Sequence, residues 1–209
     1  MASRLNSHPL RRCGNDMGFR TGKTRALIAG IMMLLATAAA VAQEDRWNEV
    51  TIRATDVPRD APGFDSYRSS AYSGPNASLR LTSNAADQMY RTRIRDWSKS
   101  KANFAGHYIL ATWGCGTDCL QITIIDAKTG EVFHPFGVGS IASMNVDDAL
   151  LAGSPAWPNE GAAKFEVNSR LLVLIGMPEE DVKRRGISYY VWQDDKLRRV
   201  RFVPKTWYR

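Results

Sequence analysis

The feature that most constrains this chain is a pair of cysteines four positions apart, placed between two apolar segments. Cys115 and Cys119 enclose Gly-Thr-Asp, and residues 104–113 (FAGHYILATW) and 120–126 (LQITIID) flank them. In an extended strand, residues four apart lie well beyond the roughly 4.4–6.8 Å between Cα atoms that a disulfide allows. Residues 116–118 have the composition of a three-residue hairpin loop, with Gly supplying unusual dihedral angles. The spacing therefore predicts a β-hairpin whose mouth is closed by a disulfide.

The residues that precede this region indicate the compartment of the protein and therefore the redox environment of its cysteines. Residues 26–42 (ALIAGIMMLLATAAAVA) carry no charge, follow the basic residues Arg20, Lys23 and Arg25, and end in Ala-Val-Ala. These are the parts of a secretory signal peptide, so we expect residues 1–42 to be a signal peptide cleaved after Ala42, with Met1 or Met17 as its start. An uncleaved anchor is the alternative, although a membrane span needs roughly 20 apolar residues. We expect a periplasmic or secreted protein with no stable membrane span after cleavage.

Charge excludes nucleic acid as the expected partner. The 209-residue chain has a net charge of +7, but the leader holds six of the 28 Lys and Arg residues and one of the 21 acids. The remaining chain therefore has a net charge of only +2, which is too small to indicate a surface that binds nucleic acid. With 44% hydrophobic and 23% charged residues in all, the composition is that of an ordinary globular domain rather than a disordered or fibrous chain.

Three states of the cysteine pair are compatible with the sequence. An even pair in an exported chain usually forms a disulfide, which we favour. The first alternative is a zinc site formed by Cys115, Cys119, His107 and His134, although Cys-x3-Cys with scattered histidines is a loose signal. The second is a thiol pair that is either free or a redox couple, although the oxidoreductase spacing of Cys-x2-Cys at the start of a helix is absent.

The pattern of apolar residues predicts an α+β fold with a cleaved leader, a loop-rich arm over residues 43–80 and a β-rich domain over residues 81–209. Ser83 or Asn84 is expected to cap a helix that ends near Ser98 and carries an apolar stripe. About six strands should form an antiparallel β-meander with this amphipathic helix packed on it. Residues 137–164 are expected to form a long irregular connection. The strands are expected in the segments 104–113, 120–126, 131–136, 170–176, 187–193 and 197–203.

Two details of these strands can be checked individually. The continuous apolar run of residues 170–176 (RLLVLIG) predicts a central strand that is buried on both faces. In the last strand, Val200 and Phe202 alternate with Arg199 and Arg201, which predicts one buried and one solvated face. A tight turn is expected at residues 194–195 between the last two strands.

Several short motifs carry a resemblance to a known family. They are residues 103–108 (NFAGHY), 113–119 (WGCGTDC) and 126–130 (DAKTG), preceded by residues 90–95 (YRTRIR). With these motifs the chain resembles a family of small exported proteins of Gram-negative bacteria, over about residues 85–203. The resemblance implies an origin in the bacterial envelope. It transfers no catalytic, metal-binding or ligand-binding residues to this chain.

No spacing in the sequence forms a catalytic motif, and we expect neither a cofactor nor a bound metal. The chain has no G-x-S-x-G, no H-E-x-x-H and no glycine-rich phosphate loop after a strand. Our preferred hypothesis is a non-catalytic binding or inhibitor-like module that presents Trp113, Thr117 and Asp118, with His107 and His134 as further candidates, to an envelope protein or a small ligand. The alternative is a small periplasmic hydrolase or metal-dependent enzyme, for which His107, Asp118 and His134 would have to converge.

Overall fold

The structure is a computed structural model that describes residues 33, 49–154, 157 and 159–207. The predicted signal-peptide cleavage site, between Ala42 and Gln43, lies outside the described residues. Within them, the chain from residue 49 onward forms an eight-stranded antiparallel sheet, one long helix and several shorter helical turns. Among the described residues from Ala54 onward, the α-helices are α1 (Ala85–Trp97) and α2 (Asp148–Leu151). In the same part of the chain, the strands are β1 (Tyr108–Gly116), β2 (Cys119–Asp126), β3 (Val132–Phe133), β4 (Ser140–Ala142), β5 (Ala163–Phe165), β6 (Leu171–Pro178), β7 (Gly186–Gln193) and β8 (Lys196–Pro204), and the 3-10 helices are Ala54–Asp56, Phe64–Tyr67 and Val182–Arg184.

The sheet follows the chain order. Its main path is β1-β2-β4-β6-β7-β8, with β3 paired to β2 and β5 paired to β6, and all these pairings are antiparallel. The prediction of an antiparallel α+β fold is therefore confirmed. The described strands exceed the expected six because of two three-residue strands: β4 forms inside residues 137–164, which were expected to be irregular, and β5 forms at the end of that segment. Both are held by pairing with longer strands, a non-local effect that has little local signal.

In the part of the chain that the structure describes, the core consists of three apolar clusters arranged across the sheet. β6 separates two of them, because its eight residues are all buried; this confirms the prediction of a central strand covered on both faces. The central cluster joins the two halves of the sheet and includes Leu110, Ile122, Ile124, Ile141, Leu172, Leu174 and Trp192. The second cluster lies on the other face of β6 and β7 and includes Ile52, Val146, Leu150, Val173, Ile175 and Tyr189. The third lies between α1 and the β1–β2 hairpin and includes Tyr90, Ile94, Ile109, Ala111, Ile125 and Ala127.

Helix α1 begins and packs as its sequence predicts. The Asn84 side-chain oxygen accepts hydrogen bonds from the backbone N–H groups of Ala86 (2.7 Å) and Asp87 (3.1 Å), which makes Asn84 the N-cap. Such a cap satisfies backbone donors that have no partner within the helix. Ile94 is fully buried against the hairpin, while the arginines at 91, 93 and 95 are exposed. The amphipathic helix packed on the sheet is thus confirmed.

The segment before α1 is mostly irregular but contributes to the core. Ile52 is fully buried and forms a parallel bridge with Val146. Two ion pairs connect the segment to the end of the chain, Asp56 with Lys205 at 3.0 Å and Asp60 with Arg201 at 2.9 Å.

Two strand predictions need correction. The strand expected over residues 131–136 is only two residues long, because Pro135 has no backbone N–H to donate to a ladder and the chain turns there. In β8, a register shift opposite Tyr189 and Tyr190 places Arg201 and Arg199 opposite them and leaves Val200 as a bulge. Val200 is therefore 46% exposed instead of buried. A bulge of this kind breaks the two-residue alternation on which the prediction rested.

Candidate functional site

The predicted disulfide hairpin is present, with a tighter turn than expected. β1 and β2 pair from Tyr108 and Asp126 to Gly116 and Cys119. The turn therefore contains two residues, Thr117 and Asp118, instead of the expected three. A register shift between Gly114 and Gly116 leaves Cys115 as a bulge. This bulge places the Cα atoms of Cys115 and Cys119 at 5.1 Å, and their sulfur atoms are bonded.

The end of this hairpin, residues 114–119, is here called the tip. Gly114 to Asp118 are exposed. The Asp118 carbonyl accepts hydrogen bonds from the backbone N–H of Ser143 at 2.7 Å and from its hydroxyl at 3.2 Å. The tip is thus fixed in two ways, by its own disulfide and by the segment that follows β4.

Trp113 does not belong to the exposed surface of the tip. Its ring lies 5.3 Å from the Tyr90 ring on α1, and both are part of the cluster beneath the helix. The side chain thus holds α1 on the hairpin. Of the predicted surface residues, Thr117 and Asp118 are at the tip and Trp113 is beside it, half-buried.

His107 lies at the opposite end of the hairpin. Its Nε2 is 3.7 Å from Oδ1 of Asp126, and its ring lies 4.2 Å from the ring of Tyr108. Burial lowers the pKa of His107, an effect that the Asp126 carboxylate opposes. The imidazole is half-buried beside the turn that begins at Asp126. In this turn, Oδ1 of Asp126 accepts a hydrogen bond from the backbone N–H of Lys128 at 2.7 Å.

His134 forms a buried hydrogen-bonded group with helix α1. Its Nε2 lies 2.7 Å from Oδ1 of Asp87, and its Nδ1 lies 3.5 Å from the Thr123 hydroxyl. The other oxygen of Asp87 accepts from the N–H and the hydroxyl of Thr82, both at 2.7 Å. Asp87 is only 1% exposed. Burial acts most strongly on its pKa and would raise it, but the hydrogen bonds from Thr82 and His134 together hold the pKa below its ordinary value.

The three residues of the enzymatic alternative do not converge. His107 precedes β1 and Asp118 follows it, so the nine residues of the strand, roughly 30 Å of extended chain, separate them. His134 follows β3 and is hydrogen-bonded to Asp87 of helix α1. Among the described residues no group of three or more His, Cys, Asp or Glu side chains is placed to hold a metal ion. The disulfide also contradicts the zinc alternative, because the sulfur atoms of Cys115 and Cys119 are bonded to each other and cannot serve as thiolate ligands.

A second surface feature is a cleft of about 550 Å³ at the base of the hairpin. This volume is within the range of small-molecule sites. We call it the aromatic cleft. Its walls are formed by the turn after β3 and by the β7–β8 hairpin, with the N-cap of α1 at one end. It is lined by Asn84, Val132, Phe133, His134, Pro135, Phe136, Trp192, Asp195, Lys196 and Leu197.

The floor of the aromatic cleft is formed by aromatic rings in contact with one another. The Trp192 ring lies 5.5 Å from the Phe133 ring and 5.2 Å from the Tyr108 ring, in edge-to-face contacts. The Tyr108 hydroxyl donates to Oδ1 of Asp195 at 3.0 Å and so fixes this carboxylate at the rim. Burial, reinforced by Asp195, raises the pKa of Tyr108 to about 12, so the phenol keeps its proton at neutral pH.

Sequence reasoning missed Asp87 and most of the cleft. Asp87 precedes Tyr90 and Ile94 by three and seven residues, so it lies on the apolar stripe of α1. An acid at such a position needs a buried partner, and this was the signal available. The cleft had no comparable signal, because residues around 84, 135 and 195 become neighbours only through the tertiary fold.

None of the described helices is long and apolar enough to cross a membrane. No family model matches the chain, and no curated protein and no solved structure matches it either.

Proposed function

We propose that this chain is an exported envelope protein that acts as a non-catalytic, inhibitor-like binding module, with the tip of the β1–β2 hairpin as its contact surface for a partner protein. The observation that carries the proposal is the state of the tip, which is exposed from Gly114 to Asp118 yet held by a disulfide and by Ser143. A loop that is rigid before binding loses little conformational entropy on binding, so a small contact contributes more affinity.

The shape and chemistry of the tip favour a protein partner. Thr117 and Asp118 lie beyond the last strand pair, Gly116 with Cys119, and the tip is built of small and polar residues. An exposed and constrained turn of this kind is suited to contact with the surface of another protein. Thr117 supplies a hydroxyl and Asp118 a carboxylate for hydrogen bonds at its centre.

Export is supported by two features of the sequence. The leader over residues 1–42 has the organisation of a signal peptide, and the chain resembles exported envelope proteins of Gram-negative bacteria. A disulfide is consistent with such a location, since it persists in oxidising compartments.

The binding surface is tested with a tip variant and a matched control. Partners cross-linked to the exported protein in envelope extract are identified by mass spectrometry, purified and titrated calorimetrically. Thr117→Ala combined with Asp118→Asn, which keeps a residue that tolerates the positive φ of 52°, should weaken a partner's affinity by about tenfold or more. Arg93→Ala on the outer face of α1 should leave it unchanged. Equal affinity of the wild type and the tip variant for every partner, or the absence of any partner, contradicts the proposal.

Export is tested separately. Protein recovered from the periplasmic fraction or the medium should begin at Gln43 and should give no signal in a thiol titration under denaturing conditions. Full-length protein inside the cell, with its leader intact and Cys115 and Cys119 reduced, contradicts the export proposal.

A further inference from the structure

The aromatic cleft contains an apolar wall that the fold itself does not bury. Phe136 is fully exposed, at 104% of the reference surface. It is placed by a tight turn in which the Pro135 carbonyl accepts from the Val138 N–H at 3.2 Å and Gly137 has a φ of 72°. A type II turn requires a positive φ at its third residue, which glycine adopts without strain. The turn therefore holds the Phe136 side chain away from the core and at the lip of the cleft.

The cleft also has one charge of each sign at its rim. Asp195 and Lys196 are exposed neighbours at the β7–β8 turn, and both line the cleft. Asp195 is oriented by the Tyr108 hydroxyl. Lys196 takes part in none of the ion pairs among the described residues. The adjacent Asp194 is already neutralised by Arg198 at 3.1 Å, so it adds little net charge to the rim.

His134 closes one side of the cleft without offering a free acid or base. Asp87 occupies one ring nitrogen at 2.7 Å, and the Thr123 hydroxyl faces the other at 3.5 Å. The ring is thus fixed as a wall.

We propose that the aromatic cleft binds a free α-amino acid with an aromatic side chain. The ligand's ring contacts Phe133, Phe136 and Trp192, its ammonium group pairs with Asp195, and its carboxylate pairs with Lys196. An α-amino acid carries both charges on one carbon, so the two groups match opposite charges on adjacent residues. Its ring covers the exposed Phe136 face, and aromatic pairs contribute beyond the area that they bury. The cleft lies at the base of the hairpin, so this site is independent of the tip.

The binding experiment separates the parts of the ligand. L-Tryptophan is titrated calorimetrically into the exported protein, with tryptamine, which lacks the carboxylate, and indole-3-propionate, which lacks the ammonium group, as analogues. We expect tryptophan to bind with a dissociation constant at or below about 1 mM, as its size allows. Each analogue should bind about tenfold more weakly, the loss expected for one charge-assisted contact. Absence of tryptophan binding, or equal affinity for all three compounds, overturns the proposal.

Two variants and their controls locate the site. Lys196→Met should weaken tryptophan binding about tenfold and leave tryptamine binding unchanged, because tryptamine has no carboxylate. Lys101→Met, at an exposed lysine outside the cleft lining, should change neither. Phe136→Ser should weaken both ligands about fivefold, whereas Met89→Ser, at a residue that is 71% exposed on α1, should not. Since Phe136 and Lys196 are exposed, both variants are expected to fold, which near-ultraviolet circular dichroism verifies. If neither Lys196→Met nor Phe136→Ser changes the affinity for tryptophan, the site does not lie in the aromatic cleft.

Discussion

The contact between Asp87 and His134 is the clearest case of one residue fixing two elements. Asp87 belongs to the first turn of α1, and His134 follows β3, so their 2.7 Å hydrogen bond ties the helix to the edge of the hairpin. Both oxygens of the carboxylate are occupied, by His134 on one side and Thr82 on the other. A buried carboxylate with such partners stabilises the native state only while it is ionised.

The first prediction concerns the acid stability that Asp87 supplies. Hydrogen bonds overcome burial and keep the pKa of Asp87 in the folded protein below the ordinary 3.8. The unfolded chain therefore takes up this proton at a higher pH. The stabilisation is fully present above about pH 3.8 and is lost as the pH falls through the folded-state pKa. Asp87→Asn should lower the free energy of unfolding by about 1–3 kcal/mol at neutral pH, and this difference should shrink in acid.

Urea denaturation between about pH 5 and pH 2.5 measures this difference. Asp96→Asn is the matched control on the same helix, because Asp96 is exposed and forms its ion pair with exposed Lys99. Its pH profile should follow that of the wild type. A constant offset between Asp87→Asn and the wild type over this range would show that ionisation of Asp87 does not contribute.

At the scale of elements, the second prediction concerns the disulfide. The Cys115–Cys119 bond closes a loop of only five residues. In the chain-entropy model, a loop of this length contributes about 2 kcal/mol by restricting the unfolded state. Cys115→Ser with Cys119→Ser should therefore lower the free energy of unfolding by about that amount and leave the fold intact, because pairing from Tyr108 to Gly114 does not depend on the bond.

Hydrogen exchange distinguishes a local from a global role of this bond. In the double serine variant, the amides of residues 116–120 should exchange faster relative to the rest of the hairpin, while those of residues 109–112 should keep their relative protection. Thr112→Ser, a change of one methyl group in the same strand, is the control. Uniform loss of structure across β1 and β2 would mean that the bond is required for the hairpin to form.

The sequence was most informative where local patterns decide the structure. The Asn84 cap, the stripe containing Tyr90 and Ile94, and the apolar run of β6 each predicted their element, because capping and burial act within a few residues. Predictions failed where residues distant in the sequence determine the local structure. Val200 follows the alternation of apolar and charged residues in the sequence of β8, but the pairing of β8 with β7 leaves it as a bulge. Phe136 lies outside the strand because the chain turns at Pro135.

At the scale of the whole molecule, the two halves of the sheet meet at a short junction. β4 pairs with β2 at three positions and with β6 at two, Ile141 opposite Pro178 and Ala142 opposite Met177. The central cluster contains residues of both halves, Leu110 and Ile122 from one and Leu172 and Trp192 from the other. Since neither half can bury its apolar face alone, we expect them to unfold as one cooperative unit.

The third prediction tests this junction through Gly176, which lies beside it in β6. Gly176 has a φ of 137°, and a Cβ atom there would collide with the Ala142 carbonyl oxygen of β4. Gly176→Ala must therefore displace β4 or strain β6, and we expect it to lower the free energy of unfolding by at least about 2 kcal/mol. Gly114→Ala is the control, because its added Cβ would meet no atom within 4 Å. If the halves share one core, amides of β1–β2 and of β6–β7 should lose protection together in Gly176→Ala. Loss confined to β4 and its neighbours would instead mean that each half is stable by itself and that the shared cluster does not couple them.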